Sequence, residues 1–198
     1  MKDGVLIFTL CAALVAGVTG CKVEVNKSHD GGSDNVKIAT PFGGIAVNQD
    51  QASAAELGLP AYPGAVQDQS GENSKSAKID MDFGAFRMRV KVADYRSQDS
   101  QDEVMAFYRK ALDRYGEVIE CVGGKPVGSP TVTPEGLTCD SSGHEHGAHK
   151  PDQVELKAGS KHHQHMVIFH DRSSSSTHFT LLALDLPHGF DIEQKGTN

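Results

Sequence analysis

The chain of 198 residues contains no tryptophan, and aromatic residues make up only 6% of it. Carbohydrate-binding surfaces commonly use exposed aromatic rings, so this scarcity argues against such a surface. Lysine and arginine are scattered without a basic run, and the formal net charge is −7. This balance argues against binding to nucleic acid, and against binding to anionic lipid through charge.

The sequence also lacks the common catalytic motifs. It has no G-x-S-x-G elbow, and His144-Glu145 is not followed by a second histidine at the spacing of H-E-x-x-H. Gly123-Gly124-Lys125 has the wrong spacing for a phosphate-binding loop. Because no set of acid, base and nucleophile can be assembled, we expect the protein not to be an enzyme.

The longest apolar run extends from Val5 to Val18 and follows Lys2. It is too short to span a bilayer but has the length of a signal-peptide core. The run ends in Val18-Thr19-Gly20-Cys21, which resembles the lipobox of bacterial lipoproteins.

This resemblance implies that residues 1–20 are a signal peptide and that Cys21 carries diacylglycerol and an acyl group such as palmitate. Lys22 follows directly, and by the family's sorting rule it favours the outer membrane. The expected location is therefore the periplasmic face of the outer membrane in the bacterial cell envelope, with membrane lipid as the partner through Cys21. The alternative is a plain secretory signal in which Cys21 is incidental.

The rest of the chain divides by composition into three parts. Residues 21–34 are polar and include Gly31-Gly32-Ser33, which predicts a flexible lipidated tether. Residues 35–187 suit one domain, and residues 188–198 have little to bury and are expected to be disordered.

The clearest predicted element is a helix that begins after Ser100, which forms a capping box with Glu103, and ends before Gly116. Its apolar side chains share one face: Val104, Phe107, Tyr108, Ala111, Leu112 and Tyr115. A short helix is also predicted over residues 51–58. Apolar alternation predicts strands near residues 36–38, 45–47, 79–83, 86–92, 117–122, 153–158, 164–170 and 177–186, the last three as an antiparallel meander. The fold class expected is α+β, a single small domain with a mostly antiparallel sheet and the main helix packed on one face.

The strand pattern changes phase at Gly84-Ala85, where a bulge or tight bend would keep the apolar residues on either side facing the core. The opposite face then carries Arg87, Arg89 and Lys91, which suit either a solvated surface or an anion site. Strand, helix and strand from residue 86 to 122 predict a βαβ unit with a right-handed crossover.

The segment Leu57-Gly58-Leu59-Pro60-Ala61-Tyr62-Pro63-Gly64-Ala65 contains an LPxYPGA run. The run resembles a pattern in uncharacterised exported bacterial proteins. This resemblance implies export but no known activity.

Two cysteines remain once Cys11 is removed with the signal and Cys21 carries lipid. Cys121 and Cys139 flank a loop rich in glycine, proline and threonine, and export would place them in an oxidising compartment. We expect a disulfide between them, worth roughly 3 kcal/mol in the chain-entropy model. The alternative is two unpaired buried cysteines.

Ten histidines are many for this length, and six of them cluster in two tracts. The first comprises His144, His146 and His149, and the second comprises His162, His163 and His165. Imidazole binds Zn²⁺ or Cu²⁺ well, but a strand separates the tracts by about 20 Å, so one site cannot use both. His170 lies at the other end of the hairpin from the second tract, where it could approach the first. We therefore take His144, His146, His149 and His170 as candidate metal ligands, with Glu145 or Asp140 as possible oxygen ligands. The alternative is that these residues form soluble loops.

The sequence thus predicts a lipid-anchored protein without enzymatic activity, which either binds a ligand or a protein partner or serves envelope structure. The alternative function is that of a periplasmic protein that binds divalent metal through its histidine-rich loops.

Overall fold

The computed structural model describes residues 21–26, 35–49, 52–68, 76–139, 151–170 and 176–187. The strands are β1 (Lys22–Asn26), β2 (Asn35–Thr40), β3 (Gly43–Gln49), β4 (Val66–Gln67), β5 (Ala77–Phe83), β6 (Phe86–Ser97), β7 (Ile119–Val122), β8 (Lys125–Pro126), β9 (Val154–Gly159), β10 (His163–His170) and β11 (Thr177–Asp185). The helix α1 spans Gln101–Leu112, and 3₁₀ turns cover Ala55–Leu57 and Asp113–Tyr115. The predicted signal peptide, the second half of the predicted tether and the predicted tail lie outside the described residues.

The described strands form one sheet in the order β1-β2-β3-β5-β6-β11-β10-β9-β7-β8, with β4 paired to β6. Every pairing in it is antiparallel. The prediction of a single small domain with a mostly antiparallel sheet and one main helix is confirmed, and so is the meander of β9, β10 and β11.

The change of phase at Gly84-Ala85 is the turn of a hairpin. Phe83 of β5 pairs with Phe86 of β6, so Gly84 and Ala85 alone connect the two strands. Gly84 has a φ of 62°, a left-handed conformation that glycine adopts without steric cost. The tight bend predicted from the sequence is therefore present.

Helix α1 begins as predicted, because the Ser100 side chain accepts from the Glu103 N–H and the Glu103 side chain accepts from the Ser100 N–H. Val104, Tyr108 and Leu112 are fully buried. They belong to one apolar cluster with Phe169 of β10 and Phe179 of β11. Tyr108 is therefore a core residue.

The predicted βαβ unit differs from the observed topology. β6 and β7 run in the same direction, but β11, β10 and β9 lie between them in the sheet. Strand β11 of the meander lies beside β6, in the position that a strand paired in parallel with β6 would occupy. The connection through α1 therefore crosses three strands.

The assignment of sheet faces was wrong for β5 and β6. Ala93 and Tyr95 of β6 belong to the same core cluster as α1. Successive strand residues point to opposite faces, so Arg89 and Lys91 share the face of Ala93 and Tyr95. The apolar side chains of β5 and β6 therefore lie on the face away from α1.

Two short segments also differ from expectation. Lys22–Asn26 form β1 rather than a flexible tether, because their backbone pairs with β2 and Val23 and Val25 alternate with polar residues. The helix expected over residues 51–58 is reduced to the 3₁₀ turn Ala55–Leu57. It ends at Gly58, whose φ of 75° is left-handed.

A loop from residue 127 to 139 covers one end of the sheet on the face away from α1. The expected disulfide joins Cys121 to Cys139, with Cα atoms 5.6 Å apart. Lys157 of β9 is fully buried beneath this loop, and its Nζ donates to the Cys139 carbonyl at 3.0 Å. The same Nζ lies 3.1 Å from a carboxylate oxygen of Glu155, which is 4% exposed.

We predict that Lys157→Met lowers the free energy of unfolding by about 3–5 kcal/mol, because it removes the cation that pairs with a buried carboxylate. The double variant Glu155→Gln/Lys157→Met should recover most of this loss. Urea unfolding measures both, with Lys125→Met on the exposed strand β8 as the control. Equal stability of Lys157→Met and Lys125→Met would contradict the assigned pairing.

Candidate functional site

The sheet face away from α1 is apolar on six neighbouring strands, and we call it the apolar face. Its members are Val36 and Ile38 of β2, Ile45 and Val47 of β3, Ile79, Met81 and Phe83 of β5, Phe86, Met88, Val90 and Val92 of β6, Leu182 and Leu184 of β11, and Ile168 of β10. All of them are partly exposed to solvent.

The strand register makes this face continuous. Ile45 of β3 lies opposite both Ile38 of β2 and Met81 of β5. Farther across the sheet, Val90 of β6 lies opposite Leu184 of β11. Because directly paired residues place their side chains in contact on one face, the apolar side chains form an unbroken surface across these strands.

The apolar face has different surroundings on its different sides. Toward β9 and β7 it meets the disulfide-bonded loop, whose Leu137 is fully buried. Toward the other edge it continues onto β1, where Val23 and Val25 are 59% and 49% exposed. Near the C-terminal end of β6 the apolar face borders Thr180 of β11, whose hydroxyl donates to the Asp94 carboxylate. One boundary is therefore covered, one is polar and one is open.

An apolar surface of this extent carries functional information. Soluble monomers rarely expose large contiguous apolar patches, and those that do use them for ligands, protein partners or membranes. The apolar face is therefore the principal candidate site.

A second feature, which we call the polar cleft, opens on the face that also carries α1. It has a volume of about 230 Å³ and is lined by Glu56, Leu57, Gly58, Arg89, Lys91, His165, Ala183 and Asp185. The 3₁₀ turn after Ala54 forms one wall, and side chains of β6, β10 and β11 form the rest.

The cations of β6 in and beside this cleft are engaged within the fold. Arg87 pairs with Asp82 at 3.0 Å, and Arg89 pairs with Asp80 at 3.3 Å. Lys91 donates from Nζ to the backbone carbonyl of Glu56 at 2.9 Å. This arrangement favours a strand surface whose cations bind partners within the fold over an anion site.

Glu56 is held between two lysines of adjacent strands. Its carboxylate accepts from Lys78, while Lys91 donates to its carbonyl, and Lys78 and Lys91 are directly paired in the sheet. The hydrogen bond from Lys78 is the main cause that lowers the pKa of the Glu56 carboxyl. Glu56 thus compensates two cations that would otherwise repel each other.

His165 forms the most constrained part of the polar cleft. Its ring stacks on Tyr115 with centroids 3.6 Å apart, and the Tyr115 hydroxyl donates to the Gly58 carbonyl. Nδ1 of His165 is buried and has no hydrogen-bond partner among the described residues. Burial is the main cause that lowers the pKa of the imidazole, while nearby Asp185 raises it.

The predicted metal ligands are divided by the limits of the described chain. His144, His146, His149, Glu145 and Asp140 lie outside it. His170 is exposed at the end of β10, where its Nε2 lies 2.6 Å from the Thr180 hydroxyl. Within the described ranges, no three His, Cys, Asp or Glu side chains gather in a group that could hold a metal ion. Metal binding by the first tract stays a prediction.

Cys21 is exposed, its thiol is free, and β1 begins at the next residue. None of the helices in the described part of the chain has both the length and the apolar content needed to cross a membrane. No protein-family model matches the chain, and neither the curated proteins nor the solved structures contain a match to it.

The sequence reasoning missed the role of His165. The residue lies within the strand predicted over 164–170, but it was considered only as a member of the second histidine tract; β10 in fact begins at His163. His165 is in phase with the buried Val167 and Phe169, so alternation along the predicted strand places its ring on the face of α1.

We predict that protonation of His165 destabilises the fold. Its pKa is lowered by folding from an ordinary value near 6.5, so the unfolded chain binds more protons there and the free energy of unfolding falls as pH drops through that value. The difference in stability between wild type and His165→Phe should therefore shift in favour of the variant from pH 8 to about pH 5. Urea unfolding across this range measures it.

Two variants of the stacking partner serve as controls. Tyr115→Phe keeps the ring over the imidazole and should preserve the pH dependence. Tyr115→Ala uncovers the imidazole and should reduce it. A constant difference between wild type and His165→Phe at all pH values would contradict the prediction.

Proposed function

We propose that this chain is an exported, lipid-anchored protein of the bacterial cell envelope that binds acyl chains on its apolar face and catalyses no reaction. The observation that supports this most directly is the continuous, partly exposed apolar surface across six strands. The ligand class is an amphipathic lipid or fatty acid.

The chemistry of the face supports this ligand class. Each methylene group removed from water contributes about 0.8 kcal/mol, so an extended acyl chain gains affinity along its whole length without directional bonds. Successive strand residues point to opposite faces, so the apolar residues gather on one side of the sheet and the charged residues on the other. The apolar side thus provides a surface for an acyl chain. Asp94 and Thr180 form a polar boundary at which a lipid headgroup has hydrogen-bonding partners.

The anchor is supported by two observations. The lipobox resemblance of Val18-Thr19-Gly20-Cys21 supplies the cleavage and modification site. The exposed, free thiol of Cys21 is accessible to a modifying enzyme. Anchoring would hold the acyl-binding face close to the membrane lipids that it binds.

We predict that Met88→Gln weakens binding of a fluorescent fatty acid by about tenfold, since loss of apolar contact worth about 1.5 kcal/mol corresponds to that factor. Arg87→Gln is the matched control, because it lies on the same strand with its side chain on the opposite face. Equilibrium titration measures affinity, and circular dichroism confirms that both variants fold.

Several outcomes would contradict acyl-chain binding. These are the absence of saturable binding by the wild type, and an equal loss of affinity in Met88→Gln and Arg87→Gln. If sedimentation shows a stable dimer that Met88→Gln dissociates, a second copy occupies the face instead.

We predict that the native protein begins at Cys21 and carries the added mass of diacylglycerol. Intact mass spectrometry of protein from the membrane fraction measures this. Cys21→Ser should release the protein from that fraction, whereas Cys11→Ser should not, because Cys11 lies in the segment that is removed. An uncleaved leader or an unmodified thiol at Cys21 would overturn the anchor.

A further inference from the structure

We propose that the edge strand β1 lies directly on the bilayer, with Val23 and Val25 against the lipid acyl chains. This inference rests on the proposed lipid anchor at Cys21. It adds an orientation: the anchored end of the sheet is a membrane-docking surface rather than a body held away by a tether.

The proposed anchor and the strand β1 are close together along the chain. β1 begins at Lys22, the residue after Cys21. A strand advances about 3.3 Å per residue, so Val23 lies within about 7 Å of Cys21 and Val25 within about 13 Å along the chain. Lipid chains attached to Cys21 therefore enter the membrane immediately beside these two side chains.

Strand β1 is amphipathic. Val23 and Val25 pair with Ile38 and Val36 of β2 and so extend the apolar face to the edge of the sheet. They are 59% and 49% exposed, which makes them two of the most exposed large apolar residues in the described chain. Burial of such side chains in a lipid environment is favourable.

The other side of the strand carries opposite charges. Lys22 and Glu24 project to the face that also carries α1, and they form an ion pair at 2.5 Å. With the valines toward lipid, this pair points toward water, and the pair adds no net charge. One side of β1 thus suits contact with lipid, and the other suits contact with water.

The edge position itself favours a covering partner. Within the described residues β1 pairs with β2 and with no strand on its outer side, and exposed apolar edges of this kind promote aggregation. At the opposite end of the sheet, β8 has only two residues, one of them Pro126, which limits further pairing. The two edges are therefore not equivalent, and the unprotected one lies at the anchor.

Fluorescence quenching tests this orientation on the full lipidated protein. The chain has no tryptophan, so each variant carries a single reporter. Val25→Trp places the reporter on the apolar face of β1, and Glu24→Trp places it one residue away on the other face. Both proteins are reconstituted into phosphatidylcholine vesicles with and without brominated acyl chains, which quench tryptophan on contact.

The expected result is blue-shifted emission and strong loss of fluorescence in brominated vesicles for Val25→Trp, with little of either for Glu24→Trp. Equal quenching of the two reporters, or none, would overturn the inference. A blue shift of Val25→Trp without quenching would also overturn it, since protein rather than lipid would then cover the strand.

The failure of this inference is distinguishable from that of the proposed function. The intact mass of each reconstituted variant shows whether Cys21 is lipidated. Lipidated protein with an unquenched Val25→Trp reporter contradicts the docking of β1 and leaves the anchor in place. Absence of the lipid contradicts the anchor itself.

Discussion

The alternation of side chains along β6 constrains the rest of the structure. This strand has twelve residues and pairs with β5, β11 and β4. Its odd-numbered positions include Ala93 and Tyr95, which form part of the core under α1. Its even-numbered positions from Phe86 to Val92 are apolar and point the other way. Because one strand supplies both sets, the sheet necessarily has apolar residues on both faces.

A sheet with two apolar faces needs cover on both, and the covering elements are not the same. On one face α1 and the 3₁₀ turn Ala55–Leu57 pack against the meander and β6. The ring of Tyr108 contacts those of Tyr62 and Phe179 in this core. On the other face the disulfide-bonded loop lies over β7 and β9. This loop is short and rich in turns, and it buries Leu137 and Lys157 rather than a large apolar surface. The apolar face therefore remains partly exposed across its six strands.

Much of the fold could be predicted from the sequence because it depends on local signals. The capping box at Ser100 defines the start of α1, and apolar alternation locates the strands of the meander. The pairing of Cys121 with Cys139 was predicted from the cysteine count and from the expected export, and the structure contains this disulfide. The choice of face for α1 could not be predicted, because β6 is apolar on both sides and only tertiary packing selects between them. The strand β1 was missed because its stability depends on pairing with β2 rather than on its own composition.

Prediction of the candidate site was limited for the same reason, because the sequence does not show which apolar side of β6 is covered. The apolar residues of β5 and β6 were correctly grouped on one side, but they were interpreted as core, which is the usual reason for such a pattern. His165 was missed because it was grouped with the other histidines of its tract, although the predicted strand 164–170 already contains it. In both instances the pattern was present in the sequence, and the identity of the covering element was the missing information.

The two faces of the sheet also differ in how they respond to water, and this difference connects the fold to the proposed location. On the face of α1, ion pairs such as Arg89 with Asp80 keep the uncovered part of the sheet soluble. From β2 to β11 the apolar face presents mainly apolar side chains, so the free energy of exposing it to water is unfavourable along its length. A freely diffusing protein with such a face would tend to associate with itself. The lipid that we propose at Cys21 would prevent such self-association, because it would bring membrane lipid to the edge of the face at a high local concentration. The exposed valines of β1 and the adjacent apolar strands are then compatible with a stable monomer at the membrane surface.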